Sequence, residues 1–544
     1  MASFLFLFIF SILWFMRTIK SALFWLYLWQ LKEYHIGRFL DHFRTAKGRY
    51  IFLNWLFGAK IVLLVGFVLR PALFFEGVMV FYAIEAVKAL ADFARGAARK
   101  PVLTSKMRLI SFFVLGVAAA APVMIFALFR DAFFLFPLGL LLFDIFLPVI
   151  ISAIVLGFQP FAVLGRRRTI EGAKQKRAIF SNTVVIGITG SYGKTSTKEF
   201  LAAILSAKFN VCKTKKHQNS EIGVAQCVLN DLRPEHEIFI AEMGAYGRGG
   251  IKLLCDIVKP RIGILTGINE QHMATFGSQE NIIKTKFELI ESLPEDGAAI
   301  MNWDNKFIKS KIQNLKPKIN SKSQIQKYKI IKYSTKTRED VWAKDIRIEK
   351  EHIYFRGCSK DGDCAEFRVN ALGVHCVPNI LAAAACAKEL DMNLSEIARA
   401  CEKVTPKLAG MELKKSAGGM NIIDATYSAN PDGVISHLEY VKIWSGKKII
   451  VMPCLIELGK ASKNVHLRIG RKIGEVCDLA IIITKDKFKE LNDGAVSSGM
   501  AEDKILFLED SVKIANKIKD IAGKEDIILL ESRLPRQLIG LLGK

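Results

Sequence analysis

The chain has 544 residues, 51% hydrophobic and 24% charged, with 77 Lys and Arg against 52 Asp and Glu; it is too long for one ordinary core, implies about three or four units, and is not a small staple-dependent domain. The positive excess is uneven: residues 1–180 hold 22 basic and 8 acidic side chains among long apolar runs, whereas the remaining 364 hold 55 and 44 and read as soluble. No nucleic-acid motif accompanies the basic residues, which crowd beside apolar stretches, so membrane orientation accounts for them and no nucleic-acid partner is expected.

In chain order, the first apolar run, 2–30, is interrupted by Arg17 and Lys20 and reads as one long tilted span or an interfacial helix beside a shorter one. It lacks a basic n-region and a small-residue cleavage site, so a cleaved signal peptide is not expected. Runs at about 51–69, 72–90, 109–129 and 133–158 are each long enough for a bilayer core of about 30 Å. Basic residues collect in 31–50, in 91–108 and at Arg166, Arg167 and Arg168. The positive-inside rule places these in the cytoplasm, with about five helices in 1–160, the N-terminus outside, and a basic cytosolic linker at 161–182. Glu76, Glu85, Lys88 and Asp144 fall in or near spans, where Glu85 and Lys88 can pair at i,i+3 or snorkel, and Pro137 and Pro148 can kink the last span. Anchoring in membrane lipids and recognition of a lipid-linked partner are preferred to transport.

At Thr183–Thr197 the character changes. Val184–Ile188 predicts a buried parallel strand, Gly190, Ser191, Tyr192, Gly193, Lys194 and Thr195 form a Gly-rich turn, and Ser196–Phe209 has a helical pattern. Strand, loop and helix in this order are the context of a phosphate-binding loop. Its amides and helix N-terminus suit anionic oxygens, Lys194 neutralises β/γ phosphates, and Thr195 offers a hydroxyl to Mg2+. Two more strands, Ile238–Ala241 and Ile262–Leu265, lead into Glu242 and into the segment containing His272. Ligands of open α/β sheets gather beyond such carboxyl ends, so Glu242 and His272 can reach a metal shared with ATP; each alone would more often be a surface residue.

The segments GITGSYGKTSTKE (187–199), HQNSEIGV (217–224), AEMGAYGRGGIKLL (241–254), TGINEQH (266–272), TKFELI (285–290), HCVPN (375–379), ATYSANPDG (425–433) and IELG (456–459) with His466 resemble, in order and spacing, the Mur ligase family of ATP-dependent amide ligases. The resemblance is strongest to its MurF-like branch, which adds D-alanyl-D-alanine to a UDP-N-acetylmuramoyl tripeptide. It covers about 183–544 and implies a P-loop ATPase-like central domain at 183–408 and a smaller Rossmann-like domain at 409–544, after the multi-pass α-helical region. It further implies ATP bound by Gly190, Ser191, Gly193, Lys194, Thr195 and Ser196, with His375 and Asn379 near the base. Thr195, Glu242 and His272 are implied as magnesium positions, and Lys286 as a lysine whose carbamate would contact the metal. Lys194, Glu242, His272 and Lys286 are thereby implied as the catalytic set, and Asn219 and Ser220 lie near a muramoyl-peptide acceptor, UDP- or lipid-linked. The implied second substrate is D-alanyl-D-alanine or a related amine.

Residues 310–350 are lysine-rich and read as a solvated β-rich insertion, followed by an alanine-rich helix in Ala371–Leu390 and a boundary near 405–412. Lys448–Met452, Leu479–Thr484 and Asp526–Leu530 are the strand candidates of the last domain, with Asp424, Tyr427, Asn430 and Pro431 on a matched loop and Ser532-Arg533 matching a segment near the amine substrate. Departures from the family pattern are Met411 for Arg, Ala425 for Asp, and Tyr427-Ser428-Ala429-Asn430 for Tyr-Asn-Ala-Asn. Membrane segments stand where a soluble UDP-sugar domain is usual, which leaves open a membrane-associated ligase for another peptide or amino acid, or a nucleotide-gated scaffold or transport partner. The ten cysteines, Cys212, Cys227, Cys255, Cys358, Cys364, Cys376, Cys386, Cys401, Cys454 and Cys477, lack zinc-ribbon or disulfide-framework spacing and are expected as reduced thiols.

Overall fold

The structure, a computed structural model, describes residues 2–32, 34–43, 45–215, 218–315, 328–404, 410–416, 418–427 and 430–543. The chain divides into two units, Met1–Gly165 and Arg166–Lys544.

The first unit is helical, with long helices at Ala2–Leu31, Trp55–Leu69, Pro71–Ala94, Ser105–Leu128 and Phe136–Gly157. Its interior is aromatic, around Trp14, Trp25, Trp29 and Tyr82, yet Phe8, Val62, Leu73, Phe112, Val123 and Val149 point outward and are exposed. Helices that are apolar outside as well as inside are of the kind covered either by other protein or by a bilayer. Among the described residues four segments are long and apolar enough to cross a membrane, Leu7–Leu31, Gly48–Leu69, Ser105–Leu128 and Phe136–Gly157. The expected span at 72–90 forms a helix but fails this test, because it carries Glu76, Glu85, Lys88 and Asp92. Asn54 accepts a hydrogen bond from Phe57 N at 2.9 Å and starts a new helix inside the second segment. Pro137 sits in the first turn of its helix, where a missing N–H is harmless, so only Pro148 is internal there; the helix Ser105–Leu128 holds a further proline, Pro122.

Charges inside this bundle pair between helices. Arg17 Nε lies 2.7 Å from Glu85, Lys60 Nζ lies 2.8 Å from Asp144 and 3.7 Å from Glu85, Arg17 also pairs with Asp144, and Tyr82 donates to Asp144 at 3.0 Å. Glu85 therefore does not pair with Lys88, whose ammonium stands 6.0 Å from the Trp55 ring centroid.

In the second unit the strands are β1 (Val184–Thr189), β2 (Val211–Lys213), β3 (Ile238–Glu242), β4 (Ile262–Leu265), β5 (Ala298–Asn302), β6 (Lys329–Ser334), β7 (Val341–Ile348), β8 (Ile353–Ser359) and β9 (Cys364–Val369), then β10 (Glu412–Lys415), β11 (Asn421–Ala425), β12 (Lys448–Met452), β13 (Leu479–Ile482), β14 (Ile505–Phe507) and β15 (Ile527–Glu531). The first nine form one sheet in the order β2-β3-β1-β4-β5-β6-β7-β8-β9, parallel up to β7 and antiparallel beyond it. The rest form a second sheet, β10-β11-β15-β12-β13-β14, parallel except for β10. Alternation places Val185 in the core on one face of the first sheet and Ile186 and Ile188 in the core on the other, as expected for a strand buried on both sides. In the second sheet Ile423, Ile450 and Leu529 pack on one face, and Ile422, Ile449 and Ile528 on the other.

The lysine-rich segment is not one insertion. It begins in the helix Lys306–Leu315 and ends in β6 and β7 of the main sheet, while 316–327 lie outside the described residues. The alanine-rich helix starts at Cys376, with Pro378 in its first turn. His217, Ser428, Ala429 and the 405–409 part of the expected boundary also lie outside the described residues. The expectation of ten reduced cysteines is corrected at one place: Cys358 and Cys364 oppose each other across β8 and β9 and are joined as a disulfide. The other eight are buried thiols.

Candidate active site

β1 pairs with β3 on one side and β4 on the other, so the loop after it opens where strand order reverses, the crevice position of open α/β sheets. Gly193 has φ of 76° and its Cα faces Asn379, whose side chain occupies the space a Cβ would need. Only glycine fits that turn without strain. The helix Lys194–Leu205 follows immediately, so its unpaired N–H groups face the loop mouth.

The loop opens into a cavity of about 680 Å³ lined from both sheets of the unit. Ser191, Gly193, Lys194, Thr195 and Ser196 line it from the first loop, Glu242 and His272 from the ends beyond β3 and β4, and His375 and Asn379 from the alanine-rich helix. Lys286 is not among the lining residues. Tyr427, Asp432, His437, Glu457 and Arg533 line it from the second sheet's side.

Lys194 Nζ donates to Gly190 O at 2.6 Å and has no ion pair among the described residues. Burial lowers its pKa, and Glu242 opposes that shift. Glu242 accepts from Thr195 Oγ1 and Asn219 Nδ2, both at 3.1 Å on Oε1, and pairs with Lys198 at 3.1 Å on Oε2. Burial would raise its pKa, but Lys198, Lys194 and the Asn219 hydrogen bond outweigh it and hold the carboxyl below its ordinary value. Lys198, fully buried, carried no signal in the sequence except its place in the matched segment.

His272 has a left-handed φ of 64°, and its Nδ1 lies 2.6 Å from Glu457 Oε2. Glu457 is itself at φ 64°, and its carbonyl accepts from Ala274 N at 3.1 Å. Burial lowers the His272 pKa against the pull of Glu457, and Lys194 and Lys286 push it the same way. Lys286 is buried, 5.9 Å from the Phe276 ring centroid, with no hydrogen bond or ion pair among the described residues. Desolvation, reinforced by Lys194, brings its ammonium pKa down to about 7.

These placements sort the expected metal positions. Thr195 and Glu242 present two hard oxygens together, the donor type magnesium takes when nucleotide phosphates and water complete its shell. No group of three or more His, Cys, Asp or Glu side chains forms a metal cluster among the described residues. His272 is directed to Glu457 and Lys286 to Phe276, while electrostatics links both to Lys194.

Asn379 Oδ1 accepts from Thr197 Oγ1 at 3.3 Å and its amide donates to His375 O at 3.1 Å, tying the alanine-rich helix to the helix that follows the glycine-containing loop. His375 is pushed down to about 3 by burial and by His437, so its imidazole is neutral. Ser220 caps the helix Glu221–Asn230, accepting from Gly223 N at 3.3 Å. Across the cavity Asn430 caps the helix Pro431–Val441, and Asn269 Nδ2 donates to Asp432 at 2.9 Å. His466 Nε2 accepts from Leu455 N at 3.0 Å beneath the loop that carries Glu457. Met411 and Ala425 are buried apolar residues of the second core, and neither brings a polar group to the cavity. Glu457, Asp432 and Lys198 lay within matched segments without an expected role; His437 and Glu531 had no sequence signal.

Residues 188–387 match the Mur ligase middle domain, and residues 411–534 match the Mur ligase glutamate ligase domain. The chain is 30% identical over 349 residues to the UDP-N-acetylmuramoyl-tripeptide–D-alanyl-D-alanine ligase of Mycobacterium tuberculosis (strain ATCC 25618 / H37Rv), covering 62% of this chain and 66% of that protein. It is 29% identical over 355 residues to the ligase of the same name from Bacillus subtilis, covering 64% and 73%. It thus spans about two thirds of the length of the first of these relatives. Its fold is similar to a crystal structure of MurF from Acinetobacter baumannii, with TM-score 0.61 and 25% identity over 70% of this chain and 81% of that one. The MurF ligase from Thermotoga maritima in complex with ADP gives a TM-score of 0.58 at 24% identity, covering 70% and 83%.

Proposed function

The chain belongs to the Mur ligase family, and from that premise we propose that it is an ATP-dependent, ADP-forming ligase that joins a carboxylate to an amine through an acyl phosphate. The proposed reaction adds D-alanyl-D-alanine to a muramoyl peptide in cell-wall precursor synthesis, the reaction that the names of these two relatives give. The observation that carries this reading is the glycine-containing loop after β1, which opens with Lys194 and Thr195 beside Glu242 into a cavity lined from both sheets.

In the proposed first step a substrate carboxylate oxygen bonds to the γ-phosphorus of ATP as the bond to the ADP oxygen breaks. The loop amides and Lys194 hold phosphoryl oxygens whose negative charge grows in the transition state. Thr195 and Glu242 would hold magnesium, which supplies further positive charge to those oxygens when bound. In the second step the amine attacks the acyl carbon and inorganic phosphate leaves. The second sheet's contribution to the cavity supports exclusion of water from the acyl phosphate. At about 7, Lys286 is partly a neutral amine near neutral pH, the form that combines with carbon dioxide; the resulting anion would replace a cation next to His272 and Lys194.

The proposed organisation is a membrane region at 1–160, a basic linker at 161–182, and ligase domains at 183–408 and 409–544 on the cytoplasmic side. The apolar helices of the first unit support membrane attachment, so the acceptor is lipid-linked or a UDP precursor met at the membrane. Detergent-purified full-length protein, given ATP and magnesium with UDP-muramoyl tripeptide or its lipid-linked counterpart, each with and without D-alanyl-D-alanine, tests this by phosphate release and product mass. Product from the lipid-linked acceptor alone assigns the membrane region to substrate binding; product from the UDP form makes it chiefly an anchor. Phosphate release with neither acceptor, or none at all, rejects the proposed reaction.

A further inference from the structure

Glu531 ends β15, in register with Ala425 at the end of β11, so it stands at the carboxyl edge of the second sheet. Its two oxygens are committed: Oε1 accepts from Ser532 Oγ at 3.1 Å, and Oε2 lies 2.6 Å from His437 Nδ1. Glu531 is 1% exposed and His437 5% exposed, yet His437 and the neighbouring Arg533 both line the cavity shared with Lys194. A carboxylate on Nδ1 fixes the ring orientation and makes Nδ1 the donor, while Nε2 has no hydrogen-bond partner among the described residues. Opposite stands His375, its ring centroid 5.1 Å away, with a buried Nδ1 lacking a partner. The helix Ser462–Val476, packed along the His437 helix, sends Lys472 to Glu439 rather than to His437.

We propose that His437, oriented by Glu531, is the proton acceptor for the incoming amine, which is recognised as a zwitterion with its carboxylate at Arg533. This rests on the ligase reading above. The amine reaches solution mostly as an ammonium and cannot attack until it loses a proton. His437 Nε2 takes that proton, the nitrogen lone pair forms the C–N bond, the C–O bond to phosphate breaks, and inorganic phosphate departs. The imidazolium rests on the Glu531 carboxylate until the proton returns to solvent. Ser532, at φ 61°, makes the turn that brings Glu531 and Arg533 together at one strand end.

The test separates the two half-reactions in the full-length protein. With ATP and either muramoyl tripeptide acceptor, hydroxylamine, which is already unprotonated at neutral pH, traps the acyl phosphate as a hydroxamate; D-alanyl-D-alanine gives the amide. His437→Gln and Glu531→Gln, shown folded by unchanged melting profiles, are expected to slow amide formation about 10²-fold. Hydroxamate formation is expected to change less than about twofold, and the amide defect to shrink as pH rises and frees the amine. His437→Ala with added imidazole is expected to regain amide formation. Equal losses in both assays, or no loss in either, overturn the role of His437. No ATP-dependent hydroxamate from the unaltered protein overturns the ligase reading, and this one with it.

Discussion

Inside the helical unit, Arg17 and Lys60 meet Glu85 and Asp144, two cations with two carboxylates, and Tyr82 completes the set. In the second unit, Lys194, half-buried at the cavity, and Lys286, buried and not among the lining residues, have no ion pair among the described residues, and Glu242 is already engaged by Lys198. Desolvation acts on both groups of charges. In the first it is offset by partners on four different helices, so the network is closed and ties the bundle together. In the second the positive charge is left for something else to neutralise, which suits the proposed role in holding phosphate. Buried charge therefore marks function where it is uncompensated, and helix register where it is balanced.

Breaking the open site should have the largest effect. Lys194→Ala is expected to reduce ATP-dependent ADP release by roughly 10³-fold with the fold retained; ligation that persists would remove the phosphate-binding assignment. Breaking the closed network should act on stability instead. Asp144→Asn leaves Arg17 and Lys60 with one carboxylate, and is expected to lower stability in detergent by about 3–5 kcal/mol. The double variant Arg17→Gln with Glu85→Gln removes opposite charges together and should lose much less. A drop in turnover without a drop in stability for Asp144→Asn would move this network to the functional side of the comparison.

Lys286 sharpens the contrast through pH. Its folded-state pKa of about 7 lies below the ordinary lysine value of 10.5, so between those values the unfolded chain binds more protons. Stability is therefore expected to rise with pH across that window, and to be at its lowest below about 7. Lys286→Met removes the charge, so it is expected to raise the melting temperature near pH 7 by roughly 3 °C and flatten that dependence. The same change should lower ligation and abolish its response to bicarbonate; unchanged kinetics would exclude a carbamate. The smallest effect is expected from Cys358→Ser with Cys364→Ser, neither of which lines the cavity. Loss of so short a loop closure should cost about 2 kcal/mol, read by thermal melts with and without reductant, and leave ADP release unchanged.

The strand, glycine turn and helix around Lys194 were legible because local order carries them: an apolar strand, a glycine at positive φ and a lysine opening a helix are adjacent in the chain. Ile262–Leu265 and Lys448–Met452 were likewise read from apolar runs and form strands with those bounds. Pairings between distant segments were not legible. Glu85 and Lys88 invited a local pair at i,i+3, but Arg17, 68 residues away, and Lys60 satisfy Glu85. Cys358 and Cys364 had ordinary spacing until the hairpin of β8 and β9 set them opposite each other. His272 could be placed after β4, yet nothing in its neighbourhood indicated that Glu457, 185 residues later, would hold its ring.

By itself the sequence determined the apolar front, the α/β rear, the glycine turn between strand and helix at Lys194, and the family, because periodicity, composition and short motifs are properties of contiguous residues. Only the tertiary structure decided which charges close on one another, which stay open in the cavity, and that His437 and Glu531 stand together at a strand end, because those relations arise when sheet register and helix packing bring remote residues within hydrogen-bonding distance.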